Sequence, residues 1–367
     1  AAGAELAVVE GVMGLFDGRL ADGEGSTAQV ATLLRAPVLL VVDCRGQSRS
    51  LAALLHGFRS FDPGVRIAGV VLNRVGSSRH EAVLRAAAEE AGLAVLGALP
   101  RRDALAVPSR HLGLVTAAEH GAAATAAVDA MAELVAAHVD LDAVVALAEP
   151  LPAGPTWDPG PVERGDPRTV AVFGGRAFTF GYAEHVELLE AAGAEVAVVD
   201  PLRDERLPAA TAALVLPGGF PEEHVAALGA NAALLGAVRA AVAAGVAVHA
   251  ECGGLLYLCR ELDGVPLAGV LPARATMSER LTLGYRDAVA LSASALFPAG
   301  TRVTGHEFHR CTVTPAAGPA PAWGWRGGGP EGWVCGRVHA SFLHTHPAAY
   351  SERMAWFIRT DVVERQS

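Results

Sequence analysis

The stretch that most constrains this chain is Val246-Ala247-Val248-His249-Ala250-Glu251-Cys252-Gly253-Gly254-Leu255-Leu256-Tyr257-Leu258. Residues 246–250 predict a buried strand, mostly apolar and bounded by Gly245, and residues 253–262 predict the start of a helix. The chain must turn sharply between them, with small residues beside Cys252. A cysteine on such a strand–turn–helix elbow is held outward, and the helix N-terminus favours its thiolate. The N–H that follows it points to where an oxyanion would form, the logic of a nucleophile elbow with Cys in place of Ser. A buried core cysteine is the competing reading.

Two further segments favour the reactive reading. Residues 212–216 predict a second short apolar strand that runs into Pro217-Gly218-Gly219-Phe220-Pro221-Glu222, a glycine turn whose free N–H groups suit an anion. With Gly253 on the elbow, Gly219 on that turn would complete an oxyanion hole. The base is sought in Val338-His339-Ala340-Ser341-Phe342-Leu343-His344-Thr345-His346-Pro347. His344 and His346 are two apart, on the same side of an extended segment, so one can deprotonate Cys252 while the other orients it.

On these residues the chain from about Thr169 onward resembles a class I (triad) glutamine amidotransferase, and more narrowly the cobyrinic acid a,c-diamide synthase family. Arg176-Ala177-Phe178-Thr179-Phe180, Leu283-Gly284-Tyr285 and Gly305-His306-Glu307-Phe308-His309 carry the likeness along with the three segments above. The resemblance implies Cys252 as nucleophile and His344 as base. Most triad amidotransferases carry a Glu two residues after that His, whereas this chain has His346, whose role stays open. Phe178 and Phe180 are expected to pack, and Cys259 is expected in the core. A zinc site among His306, His309, His339, His344 and His346 is a weaker alternative.

The N-terminal part resembles the same family's P-loop-type synthetase domain, shared with dethiobiotin synthetase. Residues 5–10 predict a strand, and Glu10-Gly11-Val12-Met13-Gly14-Leu15-Phe16-Asp17-Gly18 follows. In the family this segment lies near the nucleotide phosphates and Mg²⁺, a cation that takes hard oxygen ligands. Glu10 is thus the first ligand candidate and Asp17 the second, with a loop-capping carboxylate as the alternative for each. Residues 37–43 predict a central parallel strand, 48–61 a helix, 67–74 a buried strand and 94–98 another. By resemblance Asn73 would contact adenine, a plain turn residue being the alternative, and Arg110 and His111 would lie near the synthetase site or on a surface loop. Family members begin with a glycine-rich P-loop ending in Gly-Lys-Thr. This chain starts beyond that point, with Ala, and all 29 of its Lys/Arg residues are Arg. The expectation is a fragment that lacks the first strand, P-loop and helix and does not bind ATP normally as it stands.

Residues 104–148 are apolar and helical in pattern, and residues 149–167 then carry six prolines. The expected organisation is an N-terminally truncated synthetase domain at 1–148, a linker at 149–168 and an amidotransferase domain at 169–367, both domains α/β with parallel sheets. A net charge of −10 argues against a general nucleic-acid surface, and no apolar run reads as a membrane span. The five cysteines show no paired spacing, which fits a reducing cytoplasm.

The activity implied by the resemblance couples two sites. Glutamine yields ammonia at Cys252, while ATP with Mg²⁺ activates a corrin acetate carboxylate as an acyl phosphate that the ammonia attacks. Another tetrapyrrole such as nickel-sirohydrochlorin, or a non-catalytic amidotransferase-like binding protein, are the alternatives. The residues do not fix the oligomeric state, and a homodimer is compatible with them.

Overall fold

The computed structural model describes residues 4–19, 23–102, 117–150, 152, 154, 157–160 and 167–359. The chain divides into two compact units, one holding residues 1–108 and 120–156, the other residues 109–119 and 157–367.

In the first unit, β1 (Val38–Asp43), β2 (Ile67–Val75) and β3 (Val95–Pro100) form a parallel sheet in that order. Helices Ser50–Phe61 and Ser78–Glu90 make the crossovers. Leu51, Leu55, Val70, Leu72 and Leu84 are fully buried between sheet and helices, the usual fate of apolar faces on βαβ units. Two expectations change here. Among the described residues β1 is an edge strand rather than a central one. Residues 5–10 are irregular instead of a strand. They have no ladder partner among the described residues, and Val8 is 88% exposed, so their apolar pattern gains nothing from an extended pairing. Arg110 and His111 lie outside the described residues.

The second unit holds two sheets. β4 (Arg168–Phe173), β5 (Ala194–Val199), β6 (Thr211–Leu216) and β7 (Ala247–Glu251) are parallel, as near-continuous apolar strands covered on both faces should be. The other sheet is built from β8 (Glu261–Leu262), β9 (Val265–Pro266), β10 (Arg274–Ala290), β11 (Arg302–Thr314) and β12 (Trp323–Trp325). β13 (Trp333–Cys335) and β14 (Val338–Ser341) return to the first sheet, where β14 pairs parallel to β7. β15 (His344–Thr345) then crosses to the second sheet and pairs with β11. One short segment, residues 338–345, thereby joins both sheets. Phe173, Phe178 and Tyr257 pack edge to face beneath the elbow, and Phe180 meets Phe220, so both phenylalanines do pack as expected. Cys259 is buried in the same core.

Candidate active site

β7 delivers Cys252 to its carboxyl end, where ligands bind in open α/β sheets. Cys252 has φ 46° and ψ −99°, a backbone that L residues rarely adopt, and the helix Gly253–Leu258 starts directly after it. Strain of this kind at a single residue persists only where the surrounding structure holds it, and it clusters at active sites. Cys252 N–H donates to the Ser341 carbonyl at 2.8 Å, which ties the elbow to β14. Gly254 must be glycine because a Cβ there would lie 2.1 Å from the Leu216 carbonyl oxygen. This packing draws the helix onto the end of β6 and brings the Gly218–Gly219 turn alongside. A Cβ on Gly253 would lie 3.0 Å from Gly219 N, so these two backbones face each other closely, and the Gly253 N–H faces the Cys252 thiol.

His344 enters from the second sheet. It is 5% exposed and pairs across from His306, whose ring stacks on it at 4.9 Å with 7° between planes. On its other side is Gly218, where a Cβ would sit 2.4 Å from His344 Cε1. The unassigned Gly305–His309 segment is therefore the strand that holds His344. Glu307 and His309 lie on its opposite face, where Glu307 accepts from Arg286 Nε at 2.7 Å and the His309 ring stacks on Phe342.

Behind His344 lies Glu251. Its Oε1 accepts from Thr345 N–H at 2.9 Å, from Thr345 Oγ1 at 2.8 Å and pairs with His249 Nε2 at 3.2 Å. Its Oε2 is 3.9 Å from His344 Nδ1. His346 takes a different place from the one its spacing implies. Strand pairing stops at Thr345, and His346 turns to cap the 3₁₀ helix Pro347–Arg353. Its half-exposed ring rests on Tyr182 at 4.7 Å and lies 3.8 Å from Glu184.

Burial sets the protonation states. It lowers His344 to about 4, with Glu251 opposing and His306, His309 and His249 adding to the fall, so the ring is neutral at pH 7. Burial raises the Cys252 thiol, and the nearby charge of Glu222 adds to this while the Gly253 N–H opposes it. The resting residue is thus a thiol, which corrects the thiolate expected from the helix terminus. The helix is short and the desolvation of a buried anion dominates. Glu251 is pushed up by burial but more strongly down by His249, His344 and the Thr345 N–H, to about 2.

In the first unit, Asp43 and Asn73 sit side by side at the carboxyl ends of β1 and β2. Asn73 Oδ1 accepts from the Arg74 N–H, and Asp43 is ion-paired with Arg45 and Arg74. Glu10 and Asp17 are exposed, and the Asp17 N–H closes a turn on the Gly14 carbonyl at 2.9 Å. Among the described residues no three His, Cys, Asp or Glu side chains gather around one point, whereas Mg²⁺ on a nucleotide needs only one or two carboxylates beside the phosphates. No single helix among them is long and apolar enough to cross a membrane.

A cysteine elbow at the carboxyl end of a parallel sheet, with a histidine brought in from the second sheet of the same unit, is the arrangement of a glutamine amidotransferase, and the other unit is α/β as a nucleotide-binding domain is. The profile of the CobB/CobQ-like glutamine amidotransferase domain matches residues 169–351, and that of the CobQ/CobB/MinD/ParA nucleotide binding domain matches residues 6–115. The chain belongs to the cobyrinate and hydrogenobyrinate a,c-diamide synthase family, a group of glutamine-dependent ligases. It is 57% identical to the hydrogenobyrinate a,c-diamide synthase of Mycobacterium tuberculosis H37Rv over 97% of this chain and 80% of that protein. It is 55% identical to the Streptomyces coelicolor enzyme of the same name over 95% and 79%. It is 43% identical to the cobyrinate a,c-diamide synthase of Gloeobacter violaceus over 97% and 79%. The chain spans about four-fifths of the length of these relatives.

Proposed function

We propose that this protein amidates the a and c acetate carboxylates of a corrin ring in cobalamin biosynthesis, with glutamine as nitrogen donor and MgATP as co-substrate. The observation that carries the chemistry is the strained Cys252 elbow beside a buried, neutral His344, both packed against the Gly218–Gly219 turn.

Sulfur of Cys252 attacks the glutamine side-chain carbonyl carbon while His344 takes the thiol proton, so no thiolate need persist in a dry site. The N–H groups of Gly219 and Gly253 stabilise the oxyanion. The C–N bond breaks as His344 returns the proton to the departing ammonia. Water then attacks the thioester, releasing glutamate and restoring the thiol. In the synthetase domain the corrin carboxylate displaces ADP from the γ-phosphate, because a carboxylate is a poor electrophile. Ammonia attacks the acyl phosphate and expels phosphate. Asn73, Asp17 and Glu10 are the residues we assign to nucleotide and Mg²⁺, hard oxygen donors suiting that cation. Relatives at 50% identity or more are named for hydrogenobyrinate and the 43% relative for cobyrinate, which favours the cobalt-free ring.

The test is mass spectrometry of hydrogenobyrinate and cobyrinate after incubation with glutamine, MgATP and this chain carrying a glycine-rich P-loop segment at its N-terminus. Diamide is expected, lost in Cys252→Ala with glutamine and retained when an ammonium salt replaces it. Glutamine hydrolysis through Cys252 with neither ring altered would keep the amidotransferase and remove the corrin.

A further inference from the structure

A histidine that accepts a thiol proton through one ring nitrogen works only if the other nitrogen carries the hydrogen and is held in place. Two residues beyond His344 stands His346, which rests on Tyr182 and Glu184 at the surface and leaves this task unfilled. We propose that Glu251, the residue directly before the nucleophile, is the positioning residue for His344. This rests on the reading of Cys252 as nucleophile and His344 as base.

The geometry divides the two oxygens of Glu251 between two tasks. Oε1 takes the Thr345 N–H, the Thr345 hydroxyl and His249 Nε2. These bonds fix the carboxylate to the very strand that carries His344. Tyr350 braces that strand from the next segment, its hydroxyl 3.0 Å from Thr345 Oγ1. Oε2 is left to face His344 Nδ1 at 3.9 Å. With a neutral ring that separation is longer than a formed hydrogen bond, and catalytic hydrogen bonds in substrate-free sites are commonly long and tighten when substrate binds. Glu251 is 5% exposed, so its charge acts in a low-dielectric setting. The other groups that act on the charge of His344, namely His306, His309 and His249, are rings and not anions. Glu251 is therefore the acid that selects the tautomer with hydrogen on Nδ1, leaving Nε2 to receive the thiol proton.

The same residue places acid and nucleophile in one backbone step. Glu251 is the last residue of β7 and Cys252 the first of the elbow, where the backbone leaves the extended conformation at φ 46°. One is aimed inward at the base while the next is presented to substrate. A carboxylate reaching His344 from this position needs no acidic residue after it, which is where this chain departs from the family's common pattern.

Glu251→Gln separates this role from a structural one. A glutamine can keep its oxygen on Thr345 and His249, so the fold is retained. The atom facing His344 becomes an NH₂ donor, which forces Nδ1 to accept and puts the hydrogen on Nε2. The expected result in glutamine hydrolysis is a fall in kcat of about 10²–10⁴-fold with KM changed by less than about threefold. Alkylation of Cys252 by a diazo-ketone analogue of glutamine, followed by mass spectrometry, should slow in parallel. Glu251→Asp keeps the charge and should recover at least about tenfold over Gln. His346→Ala should stay within about threefold of wild type. Nitrogen-15 spectra of His344 in the wild-type enzyme should show hydrogen on Nδ1, a readout that needs no variant to fold. Hydrogen on Nε2, or Glu251→Gln near wild type while Cys252→Ala is inactive, would overturn the proposal and leave the function standing. Undiminished hydrolysis in Cys252→Ala would instead sink the nucleophile assignment beneath it.

Discussion

Gly218→Ala isolates the close packing that holds the base. Its effect can be worked from two contacts. A Cβ at Gly218 would stand 2.4 Å from His344 Cε1, whereas carbon atoms rest comfortably at about 3.5–4.0 Å. The ring and the turn must therefore part by about 1 Å. The ring has no room to retreat, because His306 is stacked on it at 4.9 Å. Behind the strand, a Cβ on Gly305 would already lie 2.4 Å from the His344 carbonyl oxygen. The turn must give instead, and it carries the Gly219 N–H with it. A displacement of about 1 Å in a reacting constellation costs on the order of 10²-fold, or about 2.7 kcal/mol of barrier. Overpacking adds about 1–3 kcal/mol of destabilisation. The Gly218 backbone is not left-handed, so this cost comes from space alone. The assay is steady-state glutamine hydrolysis beside urea unfolding, with Gly236→Ala as the comparison. Gly236 lies inside the helix Ala232–Ala243, where a Cβ would find its nearest atom at 3.9 Å, so the comparison variant should gain about 0.5–1 kcal/mol and keep full activity. Gly218→Ala hydrolysing glutamine within threefold of wild type, at unchanged stability, would refute the reasoning.

Two more expectations concern stability. Burial, aided by neighbouring histidines, lowers His185 and His339 to about 3 and His344 to about 4, so each ring excludes a proton that the unfolded chain accepts below pH 6.5. Burial raises Glu331 to about 7, so it retains a proton that the unfolded chain releases above pH 4.5. Between those limits the unfolded state binds a net of about two more protons, and stability should rise with pH by about 2–3 kcal/mol per unit from pH 5 to 6. Urea titrations that are flat or falling over that interval would contradict the neutral buried rings. Cys252→Gly should be more stable than Cys252→Ala by about 1 kcal/mol, since glycine adopts φ 46° without strain. The reverse order in thermal melts would mean that the elbow stores no strain.

The elbow was legible because its parts are local: an apolar strand, one cysteine, then two glycines that only close packing explains. The GG turn was legible for the same reason. The period-two alternation that puts His344 and His346 on one side ends at Thr345. Pro347, which lacks an N–H and starts the following 3₁₀ helix, was the available signal that pairing ends at Thr345. Residues 5–10 depart from the expected strand for a related reason, since an apolar run becomes a strand only where a neighbour pairs with it. The placing of His306 and Glu251 could not be read from one sequence. Both follow from register, His306 opposite His344 and Glu251 opposite Ser341, and register is a relation between distant segments.

Those registers explain how His344 from one sheet stays fixed to Cys252 from another, the pair proposed as base and nucleophile. Residues 338–341 run beside β7 and residues 344–345 beside β11, so only Phe342 and Leu343 bridge the sheets. That bridge is pinned by a buried carboxyl group. Glu331 accepts from Ser341 Oγ at 2.6 Å and from Phe342 N–H at 2.8 Å, while Ser341 Oγ accepts from Leu343 N–H at 2.8 Å. The Ser341 carbonyl in turn holds the Cys252 N–H. Every backbone polar group along the crossing that these bonds satisfy is one that would otherwise favour a looser path through water. Cys252 and His344 are thus tied through three residues of a single strand crossing rather than through a mobile loop. A site of this kind can hold His344 and the elbow in register before a ligand arrives, and preorganisation of that sort is what the proposed oxyanion hole of backbone N–H groups would require.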